Sequence, residues 1–454
     1  MKRKLATLAL SLCAAAALWA EETAAPITVT VDRAVELAME NNIQLQSSAI
    51  DLRIKERSKK YALNVFIPTV QATGSLVRQN NVSNPYAPIL SQIIPGYVEE
   101  TPSESDHWMA SAGLSIGLNL NMALLEGLRA TRQNYDAGKL TYEQARAQTE
   151  QNVRKAFYGI LLQEGSLALA KGKLAASEDR MNQTRINYSN GLVPELVYLQ
   201  TQLAVETQKP AIREAEIALD EQRKLFAFLI GLPTDATIVL DGKIDPEMKT
   251  FDASSLVDEH LADRFDIALL AKNIEMMETQ IKATKLQTYT PSIALSQSFS
   301  PVKSDISSPW LDSDSWTDSS GAFSITLAFN LTNILPFSPA GVALAEQKDA
   351  ARKIELALAQ AKINARVEIE ALVQRLEKAR TSVAAMELNV SIAEKAYRLT
   401  EQGYRAGTIE YLDLKDAEND LLQARLGVLT EKFNYLNTLL DLEAALNAKL
   451  STEK

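Results

Sequence analysis

The sequence predicts a mixed α+β membrane protein assembled from two internal repeats. Three observations lead there. Tyr188-Ser-Asn-Gly191-Leu192-Val193-Pro-Glu-Leu196 returns 216 residues later as Tyr404-Arg-Ala-Gly407-Thr408-Ile409-Glu-Tyr-Leu412. Four stretches alternate apolar with small polar residues at a period of two. Two helical patterns are far longer than those of an ordinary globular domain; the first, of about 66 residues, would span about 100 Å at ~1.5 Å per residue.

The repeat organises the chain. Its offset also pairs Val153, Ala156, Phe157 and Ile160 with Ile369, Leu372, Val373 and Leu376. A solenoid unit runs about 20–50 residues, so a repeat this long is a duplicated module. The expected divisions are a leader at 1–20, a first repeat at 21–231, a linker at 232–254, a second repeat at 255–447 and a tail at 448–454.

Residues 1–20 read as a secretory signal peptide. Lys2-Arg3-Lys4 is the basic start, Leu5 to Leu18 the apolar run, and Ala20 a small residue for cleavage. The run is too short for a membrane anchor. Cys13, the one cysteine, lies inside it, so the mature chain is expected to lack disulfides and thiol–metal chemistry. Lipidation at Cys13 is the alternative, disfavoured by the bulky Leu12 before it.

The net charge of −10 opposes nucleic-acid binding, which needs cations against phosphate. No run of like charge stands out, and the acidity reads as solvated surface. His107 and His260 stand alone, and no glycine-rich loop fits a phosphate. Neither catalysis nor a metal or cofactor is expected.

Each repeat opens on a helix, about Asp32 to Val65 and about Ser255 to Tyr289. Pro68 and Pro291 should stop them, because proline supplies no N–H and biases the residue before it toward extended backbone. Strands are expected at about 69–79, 108–121, 292–302 and 321–331. In the second, Trp108, Ala110, Ala112, Leu114, Ile116, Leu118 and Leu120 share one face. In the fourth, Phe323, Ile325, Leu327, Phe329 and Leu331 do. A half-buried soluble sheet alternates too. The small uncharged polar face and a length of about 10 residues favour tilted membrane crossings. Four strands cannot close a membrane barrel, whose smallest form has about eight, and open edges are not tolerated in lipid. Copies must therefore share one. The polar loops Asn80 to His107 and Lys303 to Ser320 suit the outer side, with Trp108, Trp310 and Trp316 at the interface.

Long helices come next, about Met122 to Asn187 and about Pro339 to Gln402. In the latter, Leu376, Ala379, Val383, Met386, Val390, Ala393, Tyr397, Thr400 and Tyr404 form a coiled-coil seam. Leu422, Leu426, Leu429, Phe433, Leu436 and Leu440 form another in the last helix. The opening helix and the helix after each tip together match the long helix in length, so two short helices should stack end to end beside it. Gly191 and Gly407 mark hairpin tips. Gly231 and Asn447 end the returning helices, both being tolerant of the left-handed cap.

Asp413 and Asp416 lie three residues apart on one helical face just past the second tip. A solvated first-turn pair at a helix N-terminus is the plain reading. The first repeat has Val197 and Gln200 there, so the charge belongs to one repeat only.

The duplicated tips, Pro68 and Pro291, Asn42, and Arg264-Phe265-Asp266 near a helix start give the chain its kinship. In order and spacing it resembles the TolC-like outer-membrane efflux proteins over nearly all of its mature length. The resemblance implies a homotrimer with a 12-stranded β-barrel in outer-membrane lipid, four strands per chain, continued by an α-helical barrel through the periplasm. It implies a passive exit duct for efflux or type I secretion, docked to a periplasmic adaptor (membrane-fusion) protein and an inner-membrane transporter. Asp413 and Asp416 would ring the closed entrance with Tyr404 nearby, a means of selecting cations. The tips at Tyr188, Gly191, Leu192 and Val193 and at Gly407, Thr408 and Ile409 would dock the adaptor. The chain departs from the family where closing contacts are made. Ile409 stands for an arginine and Val197 for an aspartate, so Tyr404 lacks an acidic partner. No C-terminal segment around the tunnel waist is expected. A general porin would need many strands and short helices. A periplasmic coiled-coil scaffold or adaptor would explain the heptads but not the strands.

Overall fold

The computed structural model describes residues 27–82, 86–98, 101–303, 306–317 and 321–450. The leader at 1–20, Cys13 and the last residues of the tail lie outside them. The chain divides into two compact units.

The first unit comprises 1–52, 139–269 and 358–454. It begins with strand β1 (Ile27–Val29) and helices α1 (Val31–Asn41) and α2 (Ile43–Lys60). The expected continuous opening helix is thus broken, and it ends before Val65 in a 3-10 turn, Ala62–Phe66. Asn42 makes the break: it sits in extended backbone, its Nδ2 donates to Leu229 O at 2.8 Å, and its Oδ1 accepts from Leu45 N at 3.0 Å. One side chain therefore caps the new helix and ties the break to the end of a returning helix.

The later elements are, in order, β2 (Thr69–Arg78), α3 (Ala87–Ile93), β3 (Trp108–Leu120), α4 (Ala123–Ser189), α5 (Glu195–Leu229), β4 (Ile238–Leu240), α6 (Ala253–His260), α7 (Phe265–Tyr289), β5 (Ser292–Phe299), β6 (Val302–Lys303), β7 (Gly321–Ala328), α8 (Pro339–Arg405) and α9 (Tyr411–Leu446). The second opening helix is also broken, by a 3-10 turn at Leu261–Asp263. Asn447 Nδ2 donates to Asp263 O at 3.3 Å, so each break meets the end of its own repeat's returning helix. The linker holds β4, which pairs in parallel with β1. Three residues are too few for alternation to show in a sequence.

Two cores fill this unit, one per repeat. Val153, Phe157 and Ile160 of α4 meet Phe226 and Ile230, with Val29, Ala34 and Ile238 closing over them. Ile369, Leu372 and Leu376 of α8 meet Tyr435, Leu439 and Leu442, with Val257 over them. The sequence offset pairs Val153 and Ile160 with Ile369 and Leu376, while Ala156 and Val373, the counterparts of Leu372 and Phe157, pack partly buried against the same cores. Burying each such side chain stabilises by about 1.5–3 kcal/mol. Tyr435 is fully buried; its hydroxyl accepts from Lys249 N and donates to Lys249 O, fixing the linker.

Polar rungs give the order of the four long helices here as α5, α4, α9, α8. Arg223 on α5 pairs with Glu164 on α4 at 2.7 Å. Lys173 on α4 donates to Asn419 on α9 at 2.6 Å. Arg425 on α9 pairs with Glu394 on α8 at 2.8 Å. At the two ends of this order, α5 exposes Leu196, Leu199 and Leu203, and α8 exposes Leu388 and Leu399.

The second unit comprises 53–138 and 270–357. Its sheet runs β2-β3-β5-β7, all antiparallel, with β6 also on β3. Register places Val70 opposite Ile116 and Leu295 opposite Ile325 on the apolar face. On the other face Ser75 and Ser111 hydroxyls meet at 2.7 Å, as do Ser296 and Ser324. A hydroxyl ladder satisfies its own polar atoms without charge, which suits a crowded interior. Both edge strands, β2 and β7, are exposed along their whole length. At the loop end Trp316 Nε1 donates to Trp310 O, and Trp108 Nε1 to Glu104. The loop expected at Asn80 to His107 also holds α3, and the strand expected at about 292–302 divides into β5 and β6. No helix among the described residues is long and apolar enough to cross a membrane.

Candidate functional site

The two tips are built alike. Gly191 and Gly407 take φ of +74° and +76°, which glycine adopts without steric cost. Gly191 N donates to Tyr188 O and Leu192 N to Asn187 O; Gly407 N donates to Tyr404 O and Thr408 N to Gly403 O. This double bond pattern is the Schellman stop, and it satisfies the last carbonyls of each long helix. The motif tyrosines brace the returning helices. Tyr188 stacks on Tyr198 with centroids 5.8 Å apart, and Tyr404 leans on Tyr411 at 6.2 Å. Leu192, Thr408 and both glycines are exposed, while Val193 and Ile409 are half-buried.

Asp413 and Asp416 are exposed in the first turns of α9. They face away from buried Leu414 and line a groove between α8 and α9 with Asn389, Ile392 and Asp420. The fold therefore brings the expected pair together and adds Asp420, one heptad after Asp413. Tyr404 packs on Tyr411 and not on the pair.

One pair was not legible in advance. Arg180 of α4 and Glu418 of α9 meet at 2.9 Å, each side chain only 11% exposed. Burial works against the Arg180 charge, but the hydrogen bond and charge of Glu418 outweigh it and raise its pKa. Tyr397 and Tyr411 lie by the pair; burial raises both phenols, and the Arg180 charge partly offsets this. Arg180 lies eleven residues before Gly191 and Glu418 eleven after Gly407, so the bridge joins the two hairpins at matching distances from their tips. The available signal was an acid four residues before Leu422, on the apolar seam of the last helix.

An antiparallel sheet with two open edges, in one chain with paired helical hairpins, defines a channel protomer. Residues 34–232 and 256–448 match the profile of the family described as outer membrane efflux protein, and the chain belongs to that family. It is an exit duct for efflux, resident in the outer membrane. Solved structures share the fold. The Campylobacter jejuni CmeC outer membrane channel aligns with a TM-score of 0.73 at 15% identity, over 93% of this chain and 87% of that one. The Vibrio cholerae outer membrane protein VceC gives 0.69 at 17%, over 93% and 97%. The open state of the Neisseria gonorrhoeae MtrE outer membrane channel gives 0.69 at 19%, over 93% and 91%. Comparison with curated protein sequences gives no significant match.

Proposed function

We propose that three copies join head to tail into one passive duct, which an adaptor protein engages at the tips and an inner-membrane transporter supplies. The observation that carries this is the pair of unfinished edges in each unit. In the sheet, β2 and β7 present unpaired backbone, which lipid does not tolerate. Three copies pairing β2 with the next β7 give the 12-stranded barrel. Among the helices, α5 exposes Leu196, Leu199 and Leu203, stepping by three and four, while α8 exposes Leu388 and Leu399. Two apolar seams on opposite sides of one layer suit a ring, in which α5 of each copy meets α8 of the next. The chain carries solute and performs no reaction.

Asp413 and Asp416, with Tyr404 at the adjoining tip, form the selective constriction in this reading. Threefold symmetry brings six carboxylates to one narrow entrance, which attracts cations and binds multivalent ones. The Arg180–Glu418 bridge takes the closing role left open by Val197 and Ile409. The residues Tyr188, Gly191, Leu192, Val193, Gly407, Thr408 and Ile409 form the adaptor-docking surface, where exposed Leu192 supplies apolar contact. The test is conductance in a planar bilayer. The native protein should conduct poorly, prefer cations and be blocked by divalent or trivalent ions. The Asp413→Ala, Asp416→Ala variant should lose both preference and block; unchanged selectivity would reduce the pair to a solvated helix start.

A further inference from the structure

Helix α2 ends in cations that no acid among the described residues neutralises. Arg53, Lys55, Arg57, Lys59 and Lys60 fall within eight residues that hold one acid, Glu56, in a chain of net charge −10. Although the chain as a whole shows no long run of one sign, this segment is concentrated positive charge. Among the described residues none of the five is in an ion pair, whereas Arg129 and Lys139 of α4 are. Arg53, Arg57, Lys59 and Lys60 are exposed, and Lys55 lies across Gly138. Two ammonium groups rest on aromatic rings, Lys59 at 4.1 Å from the Tyr135 centroid and Lys60 at 5.5 Å from Tyr61.

The next residues of the chain are apolar and equally bare. Leu63 is 66% exposed and Ile67 63%, with Val65 and Phe66 also exposed; β2 then starts at Thr69. Thr69 belongs to the sheet end at which β7 finishes, since Ser292 pairs with Ala328 and Thr69 with Gly117 of β3. After β7 that same end carries exposed Leu331 and Phe337. The far end differs: there Arg78 is bridged to Glu104 and Lys303 is enclosed by Ser308, Ser315 and the Pro309 carbonyl. Cations, then a bare apolar turn, then a membrane strand is the order of headgroup, boundary and hydrocarbon.

We infer that the end of α2 is a lipid-binding collar. Arg53, Arg57, Lys59 and Lys60 hold anionic phospholipid headgroups of the periplasm-facing leaflet, while Leu63 and Ile67 lie at the top of the acyl chains. The collar requires the strands to cross the membrane and is independent of the gate. Charge complementarity selects the occupant: phosphodiester headgroups supply the negative charge that the chain withholds. A cation close to an anionic leaflet favours association by about fivefold, and mutual repulsion among four of them reduces the sum.

The test compares retention of phosphatidylglycerol and phosphatidylcholine by the detergent-solubilised full chain, read by native mass spectrometry. The native protein should prefer phosphatidylglycerol by at least about tenfold, and added salt should lower that preference. The variant R53Q/R57Q/K59Q/K60Q should lose most of it, and R53K/R57K/K59R/K60R should keep it. The salt series on the native protein stands even where the first variant fails to fold. The collar is refuted by no preference in the native protein, by salt-independent preference, or by full preference in the glutamine variant. It is refuted equally if amine reagents cannot reach Lys59 and Lys60 in the lipid-free complex, because a neighbouring copy then covers them.

Discussion

Gly231 is the helix end least tolerant of a side chain. Its φ is +75°, and an added Cβ would lie 2.4 Å from Asn41 Cβ and 2.7 Å from its carbonyl carbon. Gly191 and Gly407 share the left-handed backbone but have open space around them. Alanine at either tip should cost about 1–2 kcal/mol, the strain of that backbone alone. Gly231→Ala should cost clearly more, and thermal unfolding of the three variants ranks them; equal costs would show that the α1–α5 junction yields. A second expectation concerns Arg180 and Glu418. Glu418→Ala leaves a buried charge alone and should destabilise by about 3–5 kcal/mol, whereas the double change to Met at both sites should be far milder. A double-mutant cycle by denaturant unfolding measures this. The glycines were legible because a positive φ selects the residue type. Glu418 was not, because an acid on a helix is solvated far more often than paired.

At the level of elements, the strands were readable and the helix breaks were not. Alternation of Val70, Ala72 and Leu76 with Gln71, Thr73 and Ser75 marks a face directly. Helical periodicity, by contrast, runs through Asn42 and Arg264 without a gap, and only a distant partner turns those residues into breaks. At the second break Arg264 bridges Asp266 at 2.9 Å and Glu368 at 2.8 Å. Burial pushes the Asp266 carboxyl up, but the Arg264 hydrogen bond and charge, with the Ile267 amide, hold it below its ordinary value. A depressed folded pKa contributes stability that is complete above about pH 5 and lost as pH falls through the folded value, below ~3.9. The stability gap between the native protein and Asp266→Asn should therefore be present at neutral pH and close in acid. Thermal melts across that range read it, and a gap that stays constant would mean the carboxyl charge contributes nothing there.

For the molecule as a whole, the duplication and the glycine turns at the tips could be read from the sequence, and the open edges β2 and β7 are the feature on which the proposed sharing between copies rests. The basic end of α2 escaped because its five cations are diluted by an acidic total, and only their exposure without acid partners distinguishes them. In the proposed assembly, a chain with two open sheet edges and apolar seams exposed on α5 and α8 is one sector of a closed duct. Light scattering on the mature protein in detergent, corrected for bound detergent, tests this most directly. Three copies of a chain whose full sequence weighs 49.9 kDa are expected. A stable single chain, its edges open in the micelle, would contradict it.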